Sequence, residues 1–173
     1  MVLDPHEAAQ FIDGYKALLL AIDAQVSGRD SRRVLEKLVA ARERLSKDRS
    51  LLKEALARVK KKKPGISPDV IRAVEGLQIE KWIYLRDTTR YSVFIHPKER
   101  AAFGVVGLTD RIRDVVGCSG VIMETGLARY RGRFVCDGLA AGAVLLGPNY
   151  RKSFADLYRA LKSEGSFHVA YED

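Results

Sequence analysis

The spacing of apolar residues changes along the chain. From residue 5 to residue 63 they recur at intervals of three and four, and beyond Gly76 they alternate. The first spacing buries one stripe of a helix and the second one face of a strand, so a helical part precedes a sheet part. With 173 residues, 47% of them hydrophobic, the chain can build a compact core and is too apolar to stay disordered. No apolar run approaches the roughly 18 residues of a membrane span.

Asp4, Pro5 and Glu7 read as a helix start: an N-cap oxygen, a proline whose missing N–H costs nothing at N1, and a carboxylate near the positive end of the dipole. Ala8, Phe11, Ile12, Tyr15, Leu18, Leu19, Ile22 and Val26 then form one stripe. Ser27-Gly28-Arg29-Asp30-Ser31 ends this helix and starts another that runs to Lys63, with Leu38, Leu45, Leu52 and Val59 at heptad spacing. Arg42 and Arg49 interrupt its second apolar row. Residues 1–63 are thus expected to be an antiparallel helical hairpin, coiled-coil-like, with a long basic second helix whose end overhangs the first. Its uncovered seam offers a route to a homodimer.

Pro64-Gly65 breaks the pattern, and a short helix through Val70, Ile71 and Val74 ends at Gly76. Residues 79–86 and 90–96 are rich in β-branched and aromatic side chains, with Asp87-Thr88-Thr89 between them, and read as a hairpin. Further short strands are expected at 103–108, 121–127, 133–136 and 143–146, with glycines at their corners. Connections this short leave no room for helical crossovers, so the expected fold class is α+β: a curved antiparallel sheet or small barrel in residues 64–173. Asn149 opens a C-terminal helix whose apolar face is Phe154, Leu157, Tyr158 and Leu161, and Phe167 to Tyr171 read as an edge strand.

Thirty Lys and Arg face 22 Asp and Glu, a net charge of +8 that is unevenly placed. Residues 1–28 carry −3, residues 29–63 carry +9 with 14 bases against five acids, and the remainder carries +2. A basic stripe on one helix favours a polyanion such as nucleic acid; the plainer use of such a run is a solvated face. Lys60, Lys61, Lys62 and Lys63 end that helix, where cations also suit its dipole. Two cysteines without CxxC spacing indicate neither a disulfide framework nor a zinc knuckle, and a reducing cytoplasm is the expected location. The first residues lack the basic start and apolar core of a signal peptide.

Candidate sites concentrate in the sheet part. Glu124 and Asp137 end neighbouring expected strands and could share acid/base or metal work, although ion pairing with Arg129 or Arg133, or turn hydrogen bonding by Asp137 before Gly138, is simpler. The hairpin between them presents Arg129, Tyr130, Arg131 and Arg133, side chains that grip phosphate and stack bases; alternation allows only two of the four to share a face. Arg151 and Lys152 sit at a helix N-terminus, an anion-favouring position without Walker A spacing. Cys118 in a glycine-flanked turn could pair with His96, and Trp82, Tyr84, Tyr91 and Phe94 are either a base-stacking surface or core. No spacing calls for a metal or cofactor. The first reading is a non-enzymatic interaction protein that contacts nucleic acid or another polyanion through its basic helix. A small ligand-binding protein or enzyme around Glu124 and Asp137 is the alternative, and a structural coiled-coil dimer the third.

Overall fold

A computed structural model describes residues 1–26, 33–62 and 65–170. The expected turn at 27–31, Lys63, Pro64, Tyr171 and the side chains of Lys61 and Lys62 lie outside the described residues. By contact the chain divides into two compact units, His6–Glu75 and Met1–Pro5 with Gly76–Asp173.

The helical unit contains α1 (Pro5–Val26), α2 (Val34–Lys47), α3 (Ser50–Lys62) and α4 (Pro68–Glu75). The expected stripe of α1 is buried at Ala8, Phe11, Tyr15, Leu18, Leu19 and Ile22. The long second helix of the expected hairpin is instead two helices. Asp48 is extended (φ −138°, ψ 100°) and its carboxylate accepts from the Ser50 N–H (2.9 Å) and hydroxyl (2.6 Å), so it stops α2 and caps α3. Leu45, Leu52 and Val59 are nevertheless buried on both sides of the break, and Arg42, read as an interruption of the seam, is buried as well. Near this junction Arg44 pairs with Asp23 of α1 (3.0 Å), and Gln25 donates to the Leu51 carbonyl (3.4 Å). Farther back along α1, Gly14 lies against α4, where a β-carbon would stand 2.9 Å from Val70 Cγ1. Two helices, α2 and α3, therefore take the place of the hairpin's second helix, and α4 is the short helix expected before Gly76.

In the second unit β1 (Gln78–Asp87), β2 (Ser92–His96), β3 (Ala101–Val106), β4 (Val121–Tyr130) and β5 (Arg133–Cys136) close into a barrel in the order β1-β2-β3-β5-β4, with β4 returning to β1. All neighbours are antiparallel except β3 and β5, which pair in parallel at Val105 with Phe134 and Val106 with Val135. The sequence led us to expect an all-antiparallel sheet. Five strands cannot alternate direction around a closed ring, so one joint must be parallel. A short helix, α5 (Ile112–Val116), which the apolar pattern does not announce, lies between β3 and β4.

After β5 the chain continues along the same edge of β4 as β6 (Ala141–Leu145), then forms α6 (Pro148–Ser163) and the short β7 (Phe167–His168) beside β3. Trp82, Tyr84, Phe94, Phe103, Val105, Met123, Leu127 and Phe134 belong to one buried cluster, which fills the barrel and which Ile112 of α5 joins. A second cluster, on the outside of β1 to β3, joins Ile83, Leu85, Val93, Ile95 and Ala102 to Tyr158 and Leu161 of α6, with Phe154, Leu157 and Phe167 against it. Alternating strand residues thus serve two apolar layers, the barrel interior and the seat of α6.

Candidate functional site

The carboxylates singled out in the sequence have different environments. Asp137 is buried: its Oδ1 accepts from the Thr125 hydroxyl (3.0 Å) and the Leu139 N–H (2.9 Å), and its own N–H donates to the Gly126 carbonyl (2.9 Å). Gly138 follows at φ 78°, which completes a turn built on the aspartate. The carboxylate lies in the space that a side chain at residue 126 would need, since a β-carbon there would stand 2.5 Å from Asp137 Oδ2. Glu124 is half-buried in β4, opposite Lys81 of β1 and Ala141 of β6. Among the described residues no group of His, Cys, Asp or Glu is arranged to hold a metal ion.

The arginines of the β4–β5 hairpin are divided by the ladder. Arg129 stands opposite Phe134, with its guanidinium 5.9 Å from that ring, whereas Arg131 stacks over Tyr130 at 5.3 Å and Arg133 stands opposite Tyr130. The turn itself is Arg131-Gly132, both left-handed, with φ of 48° and 74°. For an L-residue with a β-carbon that conformation costs about 1–2 kcal/mol.

Arg151 of α6 turns back on the fold. Its Nε donates to the Leu146 carbonyl (3.1 Å), its Nη2 reaches the Ser119 carbonyl (3.4 Å), and its guanidinium covers Gly120, where a β-carbon would come within 2.7 Å of Nε. It fastens the first turn of α6 to the loop before β4. Lys152 is exposed on the next position.

His96 is buried, and its Nδ1 accepts the N–H groups of Lys98 (3.2 Å) and Glu99 (2.9 Å), closing the β2–β3 turn with the ring edge-on to Trp82. That nitrogen is therefore occupied by the turn. Cys118 is half-buried against the barrel cluster. Trp82, Tyr84 and Phe94 are wholly buried, and Tyr91 packs on Phe167, so these aromatics are core.

One polar cluster has no forewarning in the sequence. The Tyr84 hydroxyl (2.7 Å) and the Ser92 hydroxyl (2.6 Å) both donate to Asp87 Oδ1 where β1 turns into β2. Tyr84 and Asp87 are three residues apart and in a regular strand would face opposite ways. A bulge between Tyr84 and Arg86 shifts the register and brings them together. Burial first, and then the hydrogen bond to Asp87, push the Tyr84 phenol well above its ordinary pKa.

On the basic helices the cations fall into two groups. Arg44 is paired with Asp23, Lys47 with Glu43 (2.7 Å), and Arg42 is buried. On α3, Lys53, Arg58 and Lys60 are exposed, Lys53 and Lys60 on one flank of the buried row Leu52, Ala55 and Val59 and Arg58 on the other, and none of them forms an ion pair among the described residues. No protein family, curated protein or solved structure matches the chain.

Proposed function

We propose that this chain binds a polyanion, nucleic-acid phosphates above all, through the exposed cations of α3. The observation that carries the reading is the contrast within one basic segment: Arg44 and Lys47 are neutralised by acids, while Lys53, Arg58 and Lys60 point to solvent without a carboxylate partner among the described residues. Cations in that state can neutralise phosphates and release the counterions condensed on a nucleic-acid backbone, which is the source of salt-dependent affinity. Small five-stranded barrels include binders of oligonucleotides and oligosaccharides, an analogy of architecture only. Such binders use the outer face of strands 2 and 3, and here α6 covers that face with Tyr158 and Leu161. That leaves α3 as the better candidate surface.

Fluorescence anisotropy of labelled single-stranded RNA and duplex DNA, titrated across salt, tests the reading. Lys53→Gln, Arg58→Gln and Lys60→Gln together should flatten the slope of log affinity against log salt by about 2–3, the counterions of three phosphate contacts. An unchanged slope with an unchanged circular dichroism spectrum would remove α3 from the interface.

A further inference from the structure

We propose that two copies of this chain pair through β6, edge to edge and antiparallel, about a two-fold axis at Val144. The surface is distinct from α3, and the proposal does not depend on what α3 binds.

The first observation is an open edge. β6 ends the strand order, and β4 is its one partner among the described residues. From Gly142 to Leu145 its side chains are exposed, Val144 at 60% and Leu145 at 64%. Edge strands of soluble proteins commonly carry lysine or another charge that discourages pairing. From Gly138 to Tyr150 no residue is charged, in a chain where 30% are.

The second observation is the direction of the backbone groups. The Leu146 N–H donates to the Gly120 carbonyl (2.9 Å), on the β4 side. Alternation along the strand then turns the N–H and C=O groups of Leu145 and Ala143 to the open side. A bulge at Gly142, with φ 61°, ends the regular edge before Ala143. After Leu145 the chain enters α6, where the Gly147 carbonyl accepts the Arg151 N–H (3.0 Å). The open edge is therefore residues 143–145.

These dimensions select the occupant. A foreign extended segment draws its affinity from a long run of main-chain bonds, which three residues do not offer. Paired with itself, the edge uses every outward group: Ala143 exchanges both bonds with Leu145 of the second copy, and Leu145 with its Ala143. Bulky Leu145 then faces small Ala143, and Val144 meets its own equivalent on the axis. Charge favours the same contact, since two chains of +8 repel and this stretch lets them touch without bringing like charges together. Because both copies use the same patch, the pair is closed. A three-residue contact buries less than the roughly 800 Å² per partner of a stable complex, so the dissociation constant should lie between about 10 µM and 1 mM.

Sedimentation equilibrium of the full-length chain across that range tests the pairing. Val144→Lys sets two like charges about 5 Å apart across the axis and should weaken it at least about 10-fold. Val115→Lys, at an exposed valine of α5, should leave it unchanged. Cysteines test the register. With Cys118 replaced by alanine, mild oxidation should link Val144→Cys into covalent dimers, because directly opposite β-carbons stand about 4.5–5.5 Å apart; Leu145→Cys should stay unlinked, because its equivalent lies on the diagonal at about 7–8 Å. If a lysine variant loses its circular dichroism spectrum, the cysteine pair decides alone. A chain that stays monomeric to the top of the range, equal effects of the two lysine variants, or equal linking from 144 and 145 would overturn the proposal.

Discussion

Asp87 holds two buried hydroxyls with one oxygen, and replacing it should expose how much the end of the barrel depends on that junction. In Asp87→Ala the Tyr84 and Ser92 hydroxyls, on residues 0% and 2% exposed, lose their acceptor without gaining water. An orphaned buried hydroxyl costs about 1–3 kcal/mol, so the pair predicts a loss of about 2–6 kcal/mol. For a chain of this size that lowers the midpoint by about 4–24 °C. The assay follows from the sequence: Trp82 is the single tryptophan and lies wholly inside the barrel, so its fluorescence reports the unfolding of that unit alone. Tyr84→Phe in the parent should cost about 1 kcal/mol. In the Asp87→Ala background the same change should cost little or restore stability, because it removes one of the orphaned groups. A loss below about 0.5 kcal/mol in Asp87→Ala, or an equal cost of Tyr84→Phe in both backgrounds, would refute this account of the cluster.

Two further outcomes rest on the same unit. Because the folded state raises the Tyr84 pKa, with burial as the first cause, the stability it confers is complete below the ordinary phenol value of about 10 and is lost as pH rises toward the folded value; Tyr84→Phe should therefore soften alkaline unfolding, read by Trp82 fluorescence between about pH 9 and 12. Gly126→Ala drives a methyl to 2.5 Å from Asp137 Oδ2 and should destabilise the barrel by about 1–3 kcal/mol in urea titration, more than Gly147→Ala, whose position meets nothing within 4 Å.

The N-terminal helix was legible because its signals are local: a proline at N1 and a stripe of eight apolar residues, of which Ala8, Phe11, Tyr15, Leu18, Leu19 and Ile22 are buried. The β1–β2 hairpin and the C-terminal helix were legible for the same reason. The break at Asp48 was not, because the leucine repeat continues across it; Asp48 and Ser50 can equally sit on the exposed side of an unbroken helix, and only their mutual hydrogen bonds end one. The parallel joint between β3 and β5 is a property of closure, which no strand records by itself. The bulge in β1 is likewise silent in the alternation of residues 79–86, yet it assembles Tyr84, Asp87 and Ser92. At the candidate sites, residue type singled out Arg129, Arg131 and Arg133 alike, and only the register sets Arg129 opposite Phe134 and Arg133 opposite Tyr130.

The outer apolar face of β1 to β3 also has a history in time. Ile83, Leu85, Val93 and Ile95 are made before β4, β5 and β6, and α6, which covers them, comes after all three. At about 5–20 residues per second a ribosome leaves that face bare for a few seconds in every molecule synthesised. The parallel joint waits for β5, the last of the five ring strands to be made, and the cover of the outer face waits longer, for α6. The nascent chain therefore carries that apolar face uncovered until α6 has been made.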